Sequence, residues 1–302
     1  MNSAQKGNDL SRVSHRTGII VFVVLAFGLT WPWLFIARLG LGLSLVNPLV
    51  QLPIAFSPAI AAFVVRRWVT REGFGDAGLA LKLRTAWPHY LAAYLGPLAI
   101  AVATCLLAAG LGLWTPNLSG LENGGLPWWV TVAGWMLAAL VLTPVYFGEE
   151  FGWTSYLRLR LFPGRPYRAL LATGLIWAVW HYPLAFLGYA EFSNVVAGLA
   201  VWTVSFLLQE VILSWLRLRS GTIWTASLAH AGNNLVLSVL TAVLLTAGEG
   251  GALDAILVTL LMLVPLAVIS GWLLLTGRLL PPANPAGPAQ RPQPSQPATS
   301  AP

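Results

Sequence analysis

The chain has 302 residues, 57% of them hydrophobic and only 9% charged, and its mean hydropathy is +0.73. A soluble protein of this length does not hide that much apolar surface, and continuous apolar runs of about twenty residues exclude a β-barrel, whose strands alternate over roughly ten. The net charge of +7 sits in short loops rather than in a basic stripe with interleaved aromatics, which excludes nucleic acid as a partner.

The fold class is therefore all-α: a polytopic membrane protein whose backbone groups bond within their own helices. Residues 1–16 are polar and basic and read as a cytoplasmic segment without a cleavable signal. Eight spans follow, at 17–37, 43–65, 90–113, 126–157, 168–187, 195–216, 222–245 and 253–277. The fourth is long, and its last third carries Glu149 and Glu150 before turning amphipathic near Tyr156. Residues 17–279 thus form one eight-helix transmembrane domain with a motif-bearing core at about 126–240, and the Pro/Ala-rich stretch 280–302 is expected to be a disordered tail.

The loops between spans alternate between arginine-rich and arginine-free. Sixteen of the seventeen Lys and Arg residues fall on one side, with Arg38 the exception. That side is expected to be cytoplasmic, so both termini are cytoplasmic and the protein is multi-pass in the cell membrane. Fifteen Trp suit interfacial belts, and Cys105, the single cysteine, permits neither an internal disulfide nor a thiolate metal site. No internal repeat of the kind found in many transporters is visible.

Three stretches break the apolar runs: Gly148-Glu149-Glu150, Trp177-x-x-x-His181 and His230-x-x-x-Asn234. Ionisable groups inside membrane spans are costly and mark functional sites by default. At about 1.5 Å per residue, Glu149 lies about 13 Å from Arg158, His181 about 20 Å from Arg168, and His230 and Asn234 about 16 and 22 Å from Arg219. Three helices therefore place polar groups in one slab of a hydrocarbon core about 30 Å thick. Glu149 and Glu150 point about 100° apart, so one faces the shared cavity and the other needs a different partner. Trp177 and His181, and likewise His230 and Asn234, are four residues apart on one helix face. Glu210 shares a face with Arg217 and reads as ion-paired or snorkelling.

At these residues the chain resembles the type II CAAX prenyl endopeptidase and bacteriocin-processing (CPBP, or Abi) family of intramembrane proteases. That family's pattern is EExxxR, FxxxH and HxxxN on an eight-helix fold. Glu149-Glu150 match the first motif, Trp177 to His181 the second with Trp for Phe, and His230 to Asn234 the third. Thr154 stands where the family arginine falls, and Arg158 one turn on is the nearest cation able to reach back.

The resemblance implies an endopeptidase acting on a peptide or membrane-protein substrate, lipidated in one branch of the family. Glu149 would activate water, Glu150 would support it, His181 and His230 would position the reacting groups, and Asn234 would donate to the oxyanion. Glu149, His181 and His230 are also a known ligand set for Zn²⁺ with a position left for water, so direct glutamate activation and a metalloprotease both stay open. The cavity is expected to open toward the cytoplasm. A non-catalytic relative, such as an immunity protein or scaffold, and a proton-coupled transporter are the alternative readings.

Overall fold

A computed structural model of the chain describes residues 3–122, 124–246 and 253–279. Glu249 and the segment 280–302 lie outside the described residues. Eight helices are long and apolar enough to cross a membrane: α1 (His15–Gly40), α2 (Pro48–Val69), α3 (Leu83–Gly110), α4 (Trp128–Arg160), α5 (Pro166–Phe186), α6 (Val195–Ser220), α7 (Trp224–Leu245) and α8 (Ala255–Leu275). The protein is a multi-pass integral membrane protein, and no β-strand occurs among the described residues.

Two starts differ from the sequence expectation, each for a local reason. α2 begins at Pro48 rather than near 43, because the Asn47 side chain caps it by accepting the Leu49 N–H at 2.9 Å and Pro48 takes the first helical position. α3 begins at Leu83 rather than near 90. Its first two turns contain Arg84, Thr85 and His89, which are compatible with a helix but not with a hydrocarbon run. Hydropathy measures what lipid accepts, and helices extend past it.

α4 is the organising element. It packs against α2 on one side and α7 on the other, while α6 contacts α5, α7 and α8. The α2 contact is backbone to backbone. A Cβ on Gly148 would lie 2.3 Å from the Ala55 carbonyl oxygen, and one on Gly152 would lie 2.4 Å from the Pro58 Cβ. Small residues four apart let two membrane helices approach closely. With that glycine face turned to α2, the intervening Glu149 and Glu150 are directed toward α5 and α7.

Two of the three motif helices widen at the ends of their motifs. α4 becomes π-helical over Trp153–Leu157 and α7 over Asn233–Ser238. Such segments occur frequently at functional sites.

The arginine-rich end of the bundle is closed by the loop between α2 and α3. Arg66, fully buried, donates to Asp76 at 2.8 Å, to the Gly73 carbonyl at 2.7 Å and to the Ser155 carbonyl at 2.9 Å. Arg160 bridges Glu72 at 2.7 Å and Asp76 at 3.0 Å, and Arg217 donates to Ser155 Oγ at 2.7 Å. The same loop accepts from the Ile223 N–H at Gly78 and from the Trp224 indole at Leu79. Burial would raise the Asp76 carboxyl, but the hydrogen bonds and charges of Arg66 and Arg160 outweigh it and hold the group below the ordinary carboxylate value.

Candidate active site

The three motifs meet. Glu149 and Glu150, both buried, diverge from α4 to different helices. Glu149 Oε2 accepts the Trp177 indole N–H at 3.0 Å and faces His181 Nε2 at 3.9 Å, both on α5. Glu150 Oε1 bonds His230 Nδ1 on α7 at 2.9 Å. The divergence expected of adjacent helical residues is thus resolved by giving each carboxylate its own imidazole.

The partners fix the ring states. His181 Nδ1 lies 2.9 Å from the Trp177 carbonyl oxygen, which only accepts, so that nitrogen carries the proton. In the neutral ring, Nε2 then presents a lone pair toward Glu149. On His230 the carboxylate of Glu150 is the acceptor, so Nδ1–H donates and the ring orientation is set from α4.

Aromatic walls hold the constellation. Trp177 contacts His181 and His230 edge-on, with ring centroids 5.6 and 5.2 Å apart. Phe206 on α6 stacks on His181 at 4.4 Å, and Tyr146 lies against His230 at 4.9 Å.

Asn234 stands apart from this core. It is exposed, and the interaction of its side chain is with Tyr146 rather than with either carboxylate. Asn233 is the buried member of the pair and donates to Gln209 Oε1 at 3.0 Å. The π-helical segment begins at Asn233, so the regular four-residue stacking expected between His230 and Asn234 does not continue through it.

Two expectations about arginine need correction. Arg158 does not reach back to Glu150. Its Nε donates to Ser214 Oγ on α6 at 3.2 Å, and Ser214 Oγ donates to Glu210 Oε1 at 2.7 Å. Thr154, in the family arginine's place, bonds the Glu150 carbonyl of its own helix at 3.0 Å. Nor does Glu210 pair with Arg217. Seven residues are two turns, about 10 Å of rise, and Ser214 intervenes while Arg217 is drawn to Ser155.

Glu210 is fully buried and interacts electrostatically with Glu150 and His230. A third carboxylate therefore belongs to this polar cluster. Glu150 Oε2, Glu210 Oε2 and Arg158 Nη2 are buried without a hydrogen-bond partner among the described residues.

Among the described residues no three His, Cys, Asp or Glu side chains lie together as a ready-made metal cage, while Glu149 Oε1, His181 Nε2 and His230 Nε2 are left unengaged by the bonds that fix Glu149 Oε2, His181 Nδ1 and His230 Nδ1.

The cluster is sealed toward the arginine-rich end, where every residue from Phe151 to Arg158 is buried. Asn234 and Tyr146 lie on the other side of the carboxylates, and Tyr189 beyond α5 interacts with Glu149. The exposed side of the site, at Asn234, therefore faces away from the arginines.

Residues 126–236 match the family model of the type II CAAX prenyl endopeptidase Rce1-like proteins. The site lies within this matched segment. The match takes in all three motifs and the whole of the α4–α6 scaffold around them, and it supports the family that the motifs resemble. No curated protein matches the chain.

Proposed function

We propose that this Rce1-like protein is an intramembrane endopeptidase in which Glu149 activates water against a peptide carbonyl. The observation that carries the reading is the pairing of Glu149 Oε2 with the unprotonated face of His181, 3.9 Å away. A separation of that size suits one bridging water. Glu149 takes a proton from that water, and the oxygen bonds to the carbonyl carbon. Asn234 donates to the oxyanion. When the tetrahedral carbon collapses, the C–N bond breaks and Glu149 returns the proton to the departing amine. Glu150 acts through His230, whose ring it orients.

The family name supports a CAAX-type, prenylated peptide as the substrate class, presented from the bilayer of the cell membrane. No step of this reading passes through a metal.

Purified protein in liposomes, given prenylated and unprenylated CAAX peptides with and without a strong chelator, tests the proposal. Cleavage by wild type, its loss in Glu149→Gln and indifference to chelator are the expected results. Loss with chelator and recovery with zinc would move the mechanism to a metalloprotease. Thr154 in the arginine position favours one second reading, a non-catalytic relative, which predicts no Glu149-dependent cleavage of any peptide.

A further inference from the structure

Tyr146 belongs to no recognised motif, yet it occupies the open side of the cluster. It sits one turn before Glu149 on α4, so both side chains leave the same face of the helix. Its ring lies against the His230 imidazole, with centroids 4.9 Å apart and planes at 51°. Its hydroxyl interacts with the Asn234 side chain, which is one turn past His230 on α7, and with Glu149. A phenol in a membrane span needs a polar role for its O–H. Here that hydroxyl is brought next to an exposed carboxamide, on the side of the carboxylates away from the sealed arginine end.

We propose that Tyr146 is a catalytic residue: its hydroxyl, side by side with the Asn234 amide, donates to the oxyanion formed when water adds to the scissile carbonyl. Two neutral donors aimed at one oxygen form an oxyanion hole. The ring contact gives the phenol a fixed pose, since His230 is itself held by Glu150. In the reaction the Tyr146 proton stays on its oxygen. The negative charge arises on the carbonyl oxygen as the water oxygen bonds to carbon, and it is lost when the C–N bond breaks. Only the hydrogen bond strengthens and relaxes.

This inference rests on the protease reading, and the test separates the two. Peptide cleavage is measured in liposomes for wild type, Tyr146→Phe, Asn234→Ala and Glu149→Gln. Phe keeps the ring against His230 and removes only the O–H. Tyr146→Phe is expected to lower kcat about a hundredfold with KM nearly unchanged, a typical cost of losing one oxyanion donor. A phosphinate peptide analogue, which mimics the tetrahedral oxyanion, is expected to bind more weakly by a similar factor.

If Glu149→Gln is inactive while Tyr146→Phe cleaves within about threefold of wild type, Tyr146 is no donor and the protease reading stands. If Tyr146→Phe raises KM with kcat unchanged, the hydroxyl contributes uniform binding and the assignment is overturned. If Glu149→Gln cleaves at the wild-type rate, the protease reading fails, and the inference fails with it.

Discussion

Trp177 shows what a single residue can add beyond a motif. The family pattern has Phe at this place, and the ring contacts to His181 and His230 need only an aromatic. The indole also brings an N–H that has no water to bond inside a membrane, and it is spent on Glu149 Oε2. Trp177→Phe is expected to keep the fold and lower kcat about tenfold, because a hydrogen bond to a charged group contributes about 1.5 kcal/mol or more and about 1.4 kcal/mol is tenfold in rate. Steady-state kinetics, with a thermal midpoint as the control for folding, check this. An unchanged rate would show that the bond only packs the carboxylate. The motif residues themselves were legible because charge and imidazole stand out in apolar runs. Phe206, Ser214 and Glu210 were not, since α6 carries no motif and their roles depend on which helix lies beside it. Even so, the unusual feature is present in the sequence: Glu210 lies seven residues inside Arg217 in an apolar span, deeper than an ion-paired or snorkelling carboxylate needs to be. Arg158→Ala would remove the buried charged bond to Ser214 that ties α4 to α6, and we expect a loss of stability of about 1.5 kcal/mol or more, read as a fall in the thermal midpoint.

At the scale of elements, the eight spans and their order follow from hydropathy, but which helices touch does not. The α2–α4 contact is set by Gly148 and Gly152, whose meaning emerges only once Ala55 and Pro58 are seen opposite them. Gly148→Ala would force a methyl to within 2.3 Å of a backbone oxygen. Such overpacking typically costs about 1–3 kcal/mol, and here it would also turn both carboxylates. Lower thermal stability and reduced cleavage are expected together, whereas Gly96→Ala, with open space around its Cβ, is expected to change neither. The α2–α3 loop makes a different prediction, in pH. Because the folded Asp76 titrates below its unfolded value, its stabilising contribution is complete above the unfolded carboxylate pKa of about 3.9. That contribution is lost as pH falls through the lower folded value. Asp76→Asn is therefore expected to lower the thermal midpoint at neutral pH, and the gap to wild type should close in strong acid. A gap that stays constant into that range would mean the Arg66 and Arg160 bonds do not depend on the Asp76 charge.

For the whole molecule, charge and geometry have to be read together. The loop pattern puts sixteen of the seventeen basic residues on one side of the sequence's eight spans, and the end of the bundle that carries Arg66, Arg160 and Arg217 is also where buried ion pairs and the α2–α3 loop close the site. The exception, Arg38, lies at the other end. There it donates to the Leu187 carbonyl at 3.2 Å and lines a cleft with Ser44, Leu45, Val46, Gly188 and Tyr189. Tyr189 in turn interacts with Glu149, so the cleft and the open side of the catalytic cluster share a wall. If the positive end is cytoplasmic, as its arginines predict, then substrate approaches the carboxylates from the bilayer or from the outer half of the bundle. Replacing Cys105 by Ala leaves a chain without cysteine, into which one thiol at a time can be placed at exposed positions. Leu118→Cys, in the loop before α4, is expected to react with a membrane-impermeant maleimide on intact cells. Arg165→Cys, between α4 and α5, is expected to react only after permeabilisation. The reverse pattern would invert the molecule and place the open side of Glu149 toward the cytoplasm. The geometry of the cluster would be untouched, but the source of its substrate would change, since a peptide carrying a cytoplasmic prenyl anchor and one released outside the cell would exchange places as the ligand able to reach Tyr146 and Asn234.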